Sequence, residues 1–158
     1  MVAGRHPCQQ RLAFEELLAH YLSLKNLRAL ADTESAPALD GGQDRVDAFI
    51  DALPFALTGA QRRVTQEILG DMAAPHPMMR LIQGDVGSGK TVVALAAMLD
   101  LVAQGYQSVM MAPTEVLAEQ HFRTIDRYLA DSRVRYELLA GGITGRKREE
   151  LLGLIARD

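Results

Sequence analysis

The sequence predicts an α/β protein, an incomplete parallel-sheet sandwich preceded by a long N-terminal helix. Three observations carry that expectation. Strand-like and helix-like segments alternate from residue 53 onward, the pattern that builds parallel sheets. A glycine-rich octet joins the first such strand to the next helix, as phosphate-binding loops do. Residues 11–30 carry apolar side chains at 12, 14, 17, 18, 21, 22, 24, 27 and 30, close to helical spacing.

Residues 1–31 are thus expected to centre on one amphipathic helix. The next stretch, ADTESAPALDGG, holds a proline, two glycines and three acids, and reads as a linker. Residues 45–53 suggest a short helix ended by Pro54, so that 32–52 form an acidic spacer and 53–158 the core domain. Within the domain, 58–72 reads as a helix and 79–83 as a buried strand before glycines. Residues 89–104 read as a helix stopped by Gly105, 107–112 as a second strand and 114–129 as a helix behind Pro113. Residues 135–139 form a weaker third strand before Gly141 and Gly142, and 146–156 a last helix. Met78, Met79, Met110 and Met111 are expected to fill core gaps beside the strands.

The chain has 158 residues, 48% hydrophobic and 23% charged, which suits one folded domain and argues against wholesale disorder. The single cysteine, Cys8, excludes an intramolecular disulfide framework and a Cys-rich zinc module, and suits a reducing compartment. The N-terminal MVAGRHPCQQ lacks the apolar run of a signal peptide. The longest apolar run, 92–99, is far too short to span a bilayer. A soluble intracellular protein with no membrane partner is therefore expected. The net charge of −3 excludes wrapping nucleic acid by bulk charge alone. Charge is nonetheless segregated: 32–51 holds six acids and one base, 123–148 seven bases and three acids. Arg146, Lys147 and Arg148 could clamp phosphate, although a solvated helix start accounts for them too.

Gly84-Asp85-Val86-Gly87-Ser88-Gly89-Lys90-Thr91 matches GxxxxGK[ST] at every defined position. Glycines let the backbone curl so that successive N–H groups face one concavity. Those donors and the following helix N-terminus hold phosphate oxygens. Lys90 adds a point charge at the β- and γ-phosphates, and Thr91 offers a hydroxyl to Mg²⁺. Nucleotide binding follows; the particular P-loop family does not.

Three further segments narrow the choice. Leu53-Pro54-Phe55 leads to Leu57-Thr58-Gly59-Ala60-Gln61. The run APTEVLAEQH, residues 112–121, follows the second strand, and Leu138-Leu139-Ala140-Gly141-Gly142 follows the third. With GDVGSGKT, these resemble the first RecA-like motor domain of the RecG family of superfamily 2 DNA helicases. The stretch RLAFEELLAHYLSLKNLR is similar to the helix linking that family's DNA-binding wedge domain to its motor. The resemblance implies ATP and Mg²⁺ as cofactors, branched DNA as partner without sequence preference, and a bacterial cytoplasmic enzyme acting in recombination and repair. It assigns adenine contact to Phe55 and Gln61, and the catalytic charge role to Lys90. It assigns DNA contact to Pro113, Thr114, Glu115, Gln120 and His121, and then to Gly141 and Gly142. Ala140-Gly141-Gly142 stands where Thr-Gly-Ser is common, so only backbone donors remain there. Simpler roles coexist with these: Thr58-x-x-Gln61 is also a capping box, and Thr114 an N-cap.

The transcription-repair coupling translocase is the nearest alternative; it usually has Phe where Ser88 stands and Thr where Glu115 stands. A non-enzymatic nucleotide-binding remnant is the other. No Asp-Glu dipeptide occurs in the chain, so the helicase acidic box that would hold Mg²⁺ and position water is not among these residues. The expectation is a piece of a larger enzyme, inactive by itself and without the central strands of its own sheet.

Overall fold

The computed structural model describes residues 6–31 and 33–156; the N-terminal residues 1–5, Asp32 and residues 157–158 lie outside them. Among the described residues six helices form where apolar spacing and caps predict them: α1 Pro7–Ala31, α2 Gln43–Ala52, α3 Gly59–Met72, α4 Lys90–Ala103, α5 Glu115–Leu129 and α6 Gly145–Ile155. Four of the boundaries have a clear local cause. Thr58 and Thr114 cap α3 and α5 through their hydroxyls. Left-handed Gly89 opens α4, and Gly105, at φ 85, follows its end.

Helix α4 is the centre of the core. Val92, Leu95, Ala96 and Leu99 pack with Val46 and Phe49 of α2, with Leu57, with Leu69 of α3 and with Leu129 of α5. On another side, Val93 meets Ile68 and Met72 of α3 and Leu39 of the linker. Leu95 is 2% exposed; burying such a side chain is worth about 2 kcal/mol. Asp100, further along α4, is also buried. Burial pushes the Asp100 carboxyl up from the usual carboxylate range, and a hydrogen bond from Gln104 partly offsets this. The carboxylate lies so close to Gly42, the N-cap of α2, that a Cβ there would collide with Oδ1.

The parallel sheet is not formed: among the described residues no segment pairs as a strand. Residues 79–83, 107–112 and 135–139 run outside helices as expected, yet no backbone hydrogen bond links one to another. Exposure nonetheless alternates along the second and third with the two-residue period of a strand. In the second segment 108, 110 and 112 are half-buried while 107, 109 and 111 are exposed; in the third, 136 and 138 face inward. Leu81, Val109 and Met111 are 81–90% exposed. One face therefore rests on the helices and the other is bare, because no neighbouring strand supplies ladder partners. The methionine expectation fails for the same reason: Met79 and Met111 lie on the bare face.

The first segment is anchored sideways instead. Arg80 donates to Asp71 and Glu67 of α3 at 2.6 Å each, hydrogen bonds that raise its already high pKa further. Tyr136 of the third segment donates to Asp126 of α5 at 2.8 Å. Helix α1 departs from the amphipathic expectation. All its described side chains are exposed, Leu12, Phe14, Leu17 and Tyr21 among them, so neither face is buried.

Candidate nucleotide and nucleic-acid site

The turn between the first extended segment and α4 is the phosphate-loop octet. Gly87 and Gly89 both sit at φ 80, the left-handed region that favours glycine. Ser88 N donates to Asp85 O at 3.1 Å and tightens the turn. Lys90 folds back over the loop. Its Nζ donates to Gly84 O at 2.7 Å and Asp85 O at 2.8 Å, with Ser88 Oγ at 3.5 Å. The ammonium thus sits inside the curl, where it can meet an oxyanion. Thr91 is the second residue of α4, where the first amides lack an i−4 acceptor within the helix.

Gln61 joins this loop from α3. Its Oε1 accepts from Thr58 N at 2.8 Å, and its own N donates to Thr58 Oγ1 at 3.2 Å. Both halves of the capping box are therefore made. The free end, Nε2, donates to Ser88 O at 2.8 Å. It lies so near Gly89 that a Cβ there would collide with it. One side chain thereby caps α3 and steadies the loop 27 residues away. Phe55 is not brought to that loop; it is edge-on to Tyr128 of α5, with ring centroids 6.0 Å apart.

A second cluster forms at the start of α5. Thr114 Oγ1 accepts from Leu117 N at 3.3 Å, and Pro113 precedes it on an exposed bend. Glu115 Oε1 accepts from Gly142 N at 3.0 Å, while Ile143 N donates to Ala140 O at 3.0 Å. The run 113–115 and the turn 140–143 are therefore neighbours. Gln120 and His121 lie further along α5, exposed and half-buried respectively. Arg146 pairs with Glu150 one turn on at 2.9 Å, both exposed, which suits the solvated reading of that basic run.

Two of these links escape sequence reasoning. Gln61 to Ser88 and Glu115 to Gly142 each span 27 residues, beyond any local pattern. Their one sequence trace is a polar residue at a helix start whose side chain is longer than a local cap requires.

The model of the DEAD/DEAH box helicase family matches residues 58–157, a span containing the phosphate loop and the α5 cluster. The chain belongs to the DEAD/DEAH box helicase family. Within it, the similarity is to RecG. The chain is 49% identical to the ATP-dependent DNA helicase RecG of Pasteurella multocida (strain Pm70), over 92% of this chain and 21% of that protein. It is 50% identical to that of Escherichia coli (strain K12), with the same coverage of each. A solved structure of RecG bound to a three-way DNA junction superimposes with a TM-score of 0.84 at 38% identity, covering 94% of this chain and 20% of that one. The chain thus spans about a fifth of the length of these helicases. No described helix is long and apolar enough to cross a membrane.

Proposed function

We propose that this DEAD/DEAH box segment is the nucleotide-gripping part of an ATP-dependent DNA helicase that remodels branched DNA. The observation that carries the reading is the octet 84–91, curled around the Lys90 ammonium with Gln61 bound to its rim. RecG relatives that share this stretch are named as ATP-dependent DNA helicases, and one RecG is seen on a three-way DNA junction.

The residues fit Mg·ATP. Left-handed glycines open a concavity free of Cβ atoms, and Lys90 rests on carbonyls that an anionic phosphate can replace as its partners. The N–H groups of 84–91 and the start of α4 hold the phosphates. Lys90 neutralises β- and γ-oxygen charge, its catalytic role, and the Thr91 hydroxyl belongs to the Mg²⁺ shell. Bound Mg·ATP supplies the phosphoanhydride whose cleavage drives movement. Gln61 keeps the loop in register with α3 and bounds the adenine side, whereas Phe55 packs on Tyr128 and has the adenine role from the family resemblance alone. Pro113, Thr114, Gln120, His121, Gly141 and Gly142 belong to the DNA face. Backbone and hydroxyl donors there grip phosphates irrespective of sequence.

These residues bind and orient but do not activate water. No described cluster of three or more His, Cys, Asp or Glu residues could hold a metal, and the chain contains no Asp-Glu pair. On this reading the carboxylates for turnover are not among these residues, and the enzyme, like the RecG helicases it resembles, is a bacterial one. The test is Lys90→Ala in the full-length protein that carries this segment. Loss of DNA-stimulated ATPase with an unchanged circular dichroism spectrum is expected; normal turnover would overturn the reading.

A further inference from the structure

We infer that Glu115 is a positioning residue that holds the 140–143 turn in register with the start of α5, rather than a residue that touches DNA. This rests on the proposed DNA face and deepens it. An exposed carboxylate is a poor partner for phosphate, since like charges repel. Yet Glu115 sits in the first turn of α5, beside Thr114.

The hydrogen bonds resolve the conflict. Glu115 Oε1 takes the amide of Gly142 at 3.0 Å. A Cβ on Gly142 would come within 3.2 Å of the same oxygen, and one on Gly141 within 3.9 Å of Oε2. The carboxylate thus lies along the turn, and glycine at 142 lets it approach. Its charge is offset by the Gly142 amide and by the positive end of the α5 dipole. Residues 140–143 are closed only by the Ile143-to-Ala140 bond within the turn. Glu115 supplies the long-range contact that fixes where the turn sits.

With Gly142 N spent on Glu115, the donors left to meet phosphate are the Gly141 amide, the first amides of α5 and the Thr114 hydroxyl hydrogen. A helicase that grips the backbone by amides needs those groups at fixed separation. A loose turn lowers affinity for DNA without altering chemistry at the phosphate loop.

The test uses the full-length protein, titrating a fluorescent three-way junction while DNA-stimulated ATPase is followed. Glu115→Ala should raise the half-saturating DNA concentration by about tenfold, the scale of one lost charge-assisted hydrogen bond. The maximal rate at saturating DNA should move by less than twofold. Glu115→Gln keeps an oxygen acceptor and should restore the half-saturating value to within about threefold of wild type. Gly142→Ala, whose Cβ would come within 3.2 Å of the same oxygen, should weaken DNA binding in the same direction but by less, and stands in if Glu115→Ala fails to fold. Wild-type half-saturation in both Glu115→Ala and Gly142→Ala, or a Gln variant as weak as the Ala variant, would overturn the inference. Lys90→Ala run alongside separates the two levels: retained ATPase there defeats the helicase reading itself.

Discussion

Replacing Gln61 separates two jobs that one side chain performs. In Gln61→Ala the Thr58 amide loses its acceptor and the Ser88 carbonyl its donor. The Thr58 hydroxyl still accepts from the backbone N of residue 61, so half of the cap survives. Each lost bond is worth about 1 kcal/mol net, and the Thr58 amide is open to water, so about 1.5 kcal/mol in all is expected. Gln61→Glu keeps the acceptor, and glutamate suits that position of a capping box. It should cost about 1 kcal/mol of fold stability, the Ser88 bond alone, and so less than the Ala variant. It still removes the donor to Ser88 and sets a carboxylate against a carbonyl. Both variants should therefore bind Mg·ATP about fivefold more weakly, the equivalent of one modest hydrogen bond. Binding of Mg·tripolyphosphate, which has no base, isolates the loop from any adenine contact of Gln61. Urea unfolding and calorimetric titration read the two quantities independently. Equal destabilisation by both variants would refute the capping share. Unchanged tripolyphosphate affinity in both would refute the control of the loop by Ser88.

Thr65 is 3% exposed and its hydroxyl finds no partner among the described residues; Thr65→Val should stabilise the chain by about 1 kcal/mol in urea unfolding. Asp100 carries a carboxyl raised by burial. Its contribution is fully present below the ordinary value of 3.8 and is lost as pH rises through the raised one. The stability difference between wild type and Asp100→Asn should therefore shift against wild type from acid to neutral pH, and a flat difference would contradict this. Leu81, Val109 and Met111 leave an apolar face bare, so the chain alone should self-associate in sedimentation velocity, and Val109→Lys with Met111→Lys should reduce that. A concentration-independent monomer with a cooperative melt would contradict it.

The helices were legible in the sequence because their signals are local. Apolar spacing of 3.6 residues, threonines at 58 and 114 and glycines at 89 and 105 mark ends within a residue or two of those observed, except that α1 begins four residues earlier than its apolar spacing suggests. The phosphate loop was legible for the same reason, since its glycines are required by its own backbone. The strands were legible only as extended, alternating segments. Pairing depends on partners elsewhere in the polypeptide, and the described residues do not supply them. Helix α1 shows the converse: its apolar spacing suggests a face to bury, and nothing described covers it. At the site, the residue types were readable but the contacts were not. Gln61 stands out as a cap, whereas its grip on Ser88 depends on how α3 packs against α4. Phe55 packs edge-on against Tyr128, a contact no local pattern announces.

Calorimetric titration of Mg·ATP into the purified chain, with Lys90→Ala beside it, tests the central claim most directly. The account predicts saturable binding by the wild-type chain and its loss in the variant, because Lys90 is held inside the curl of residues 84–91. Equal binding by both, or none by a folded wild-type chain, would contradict it.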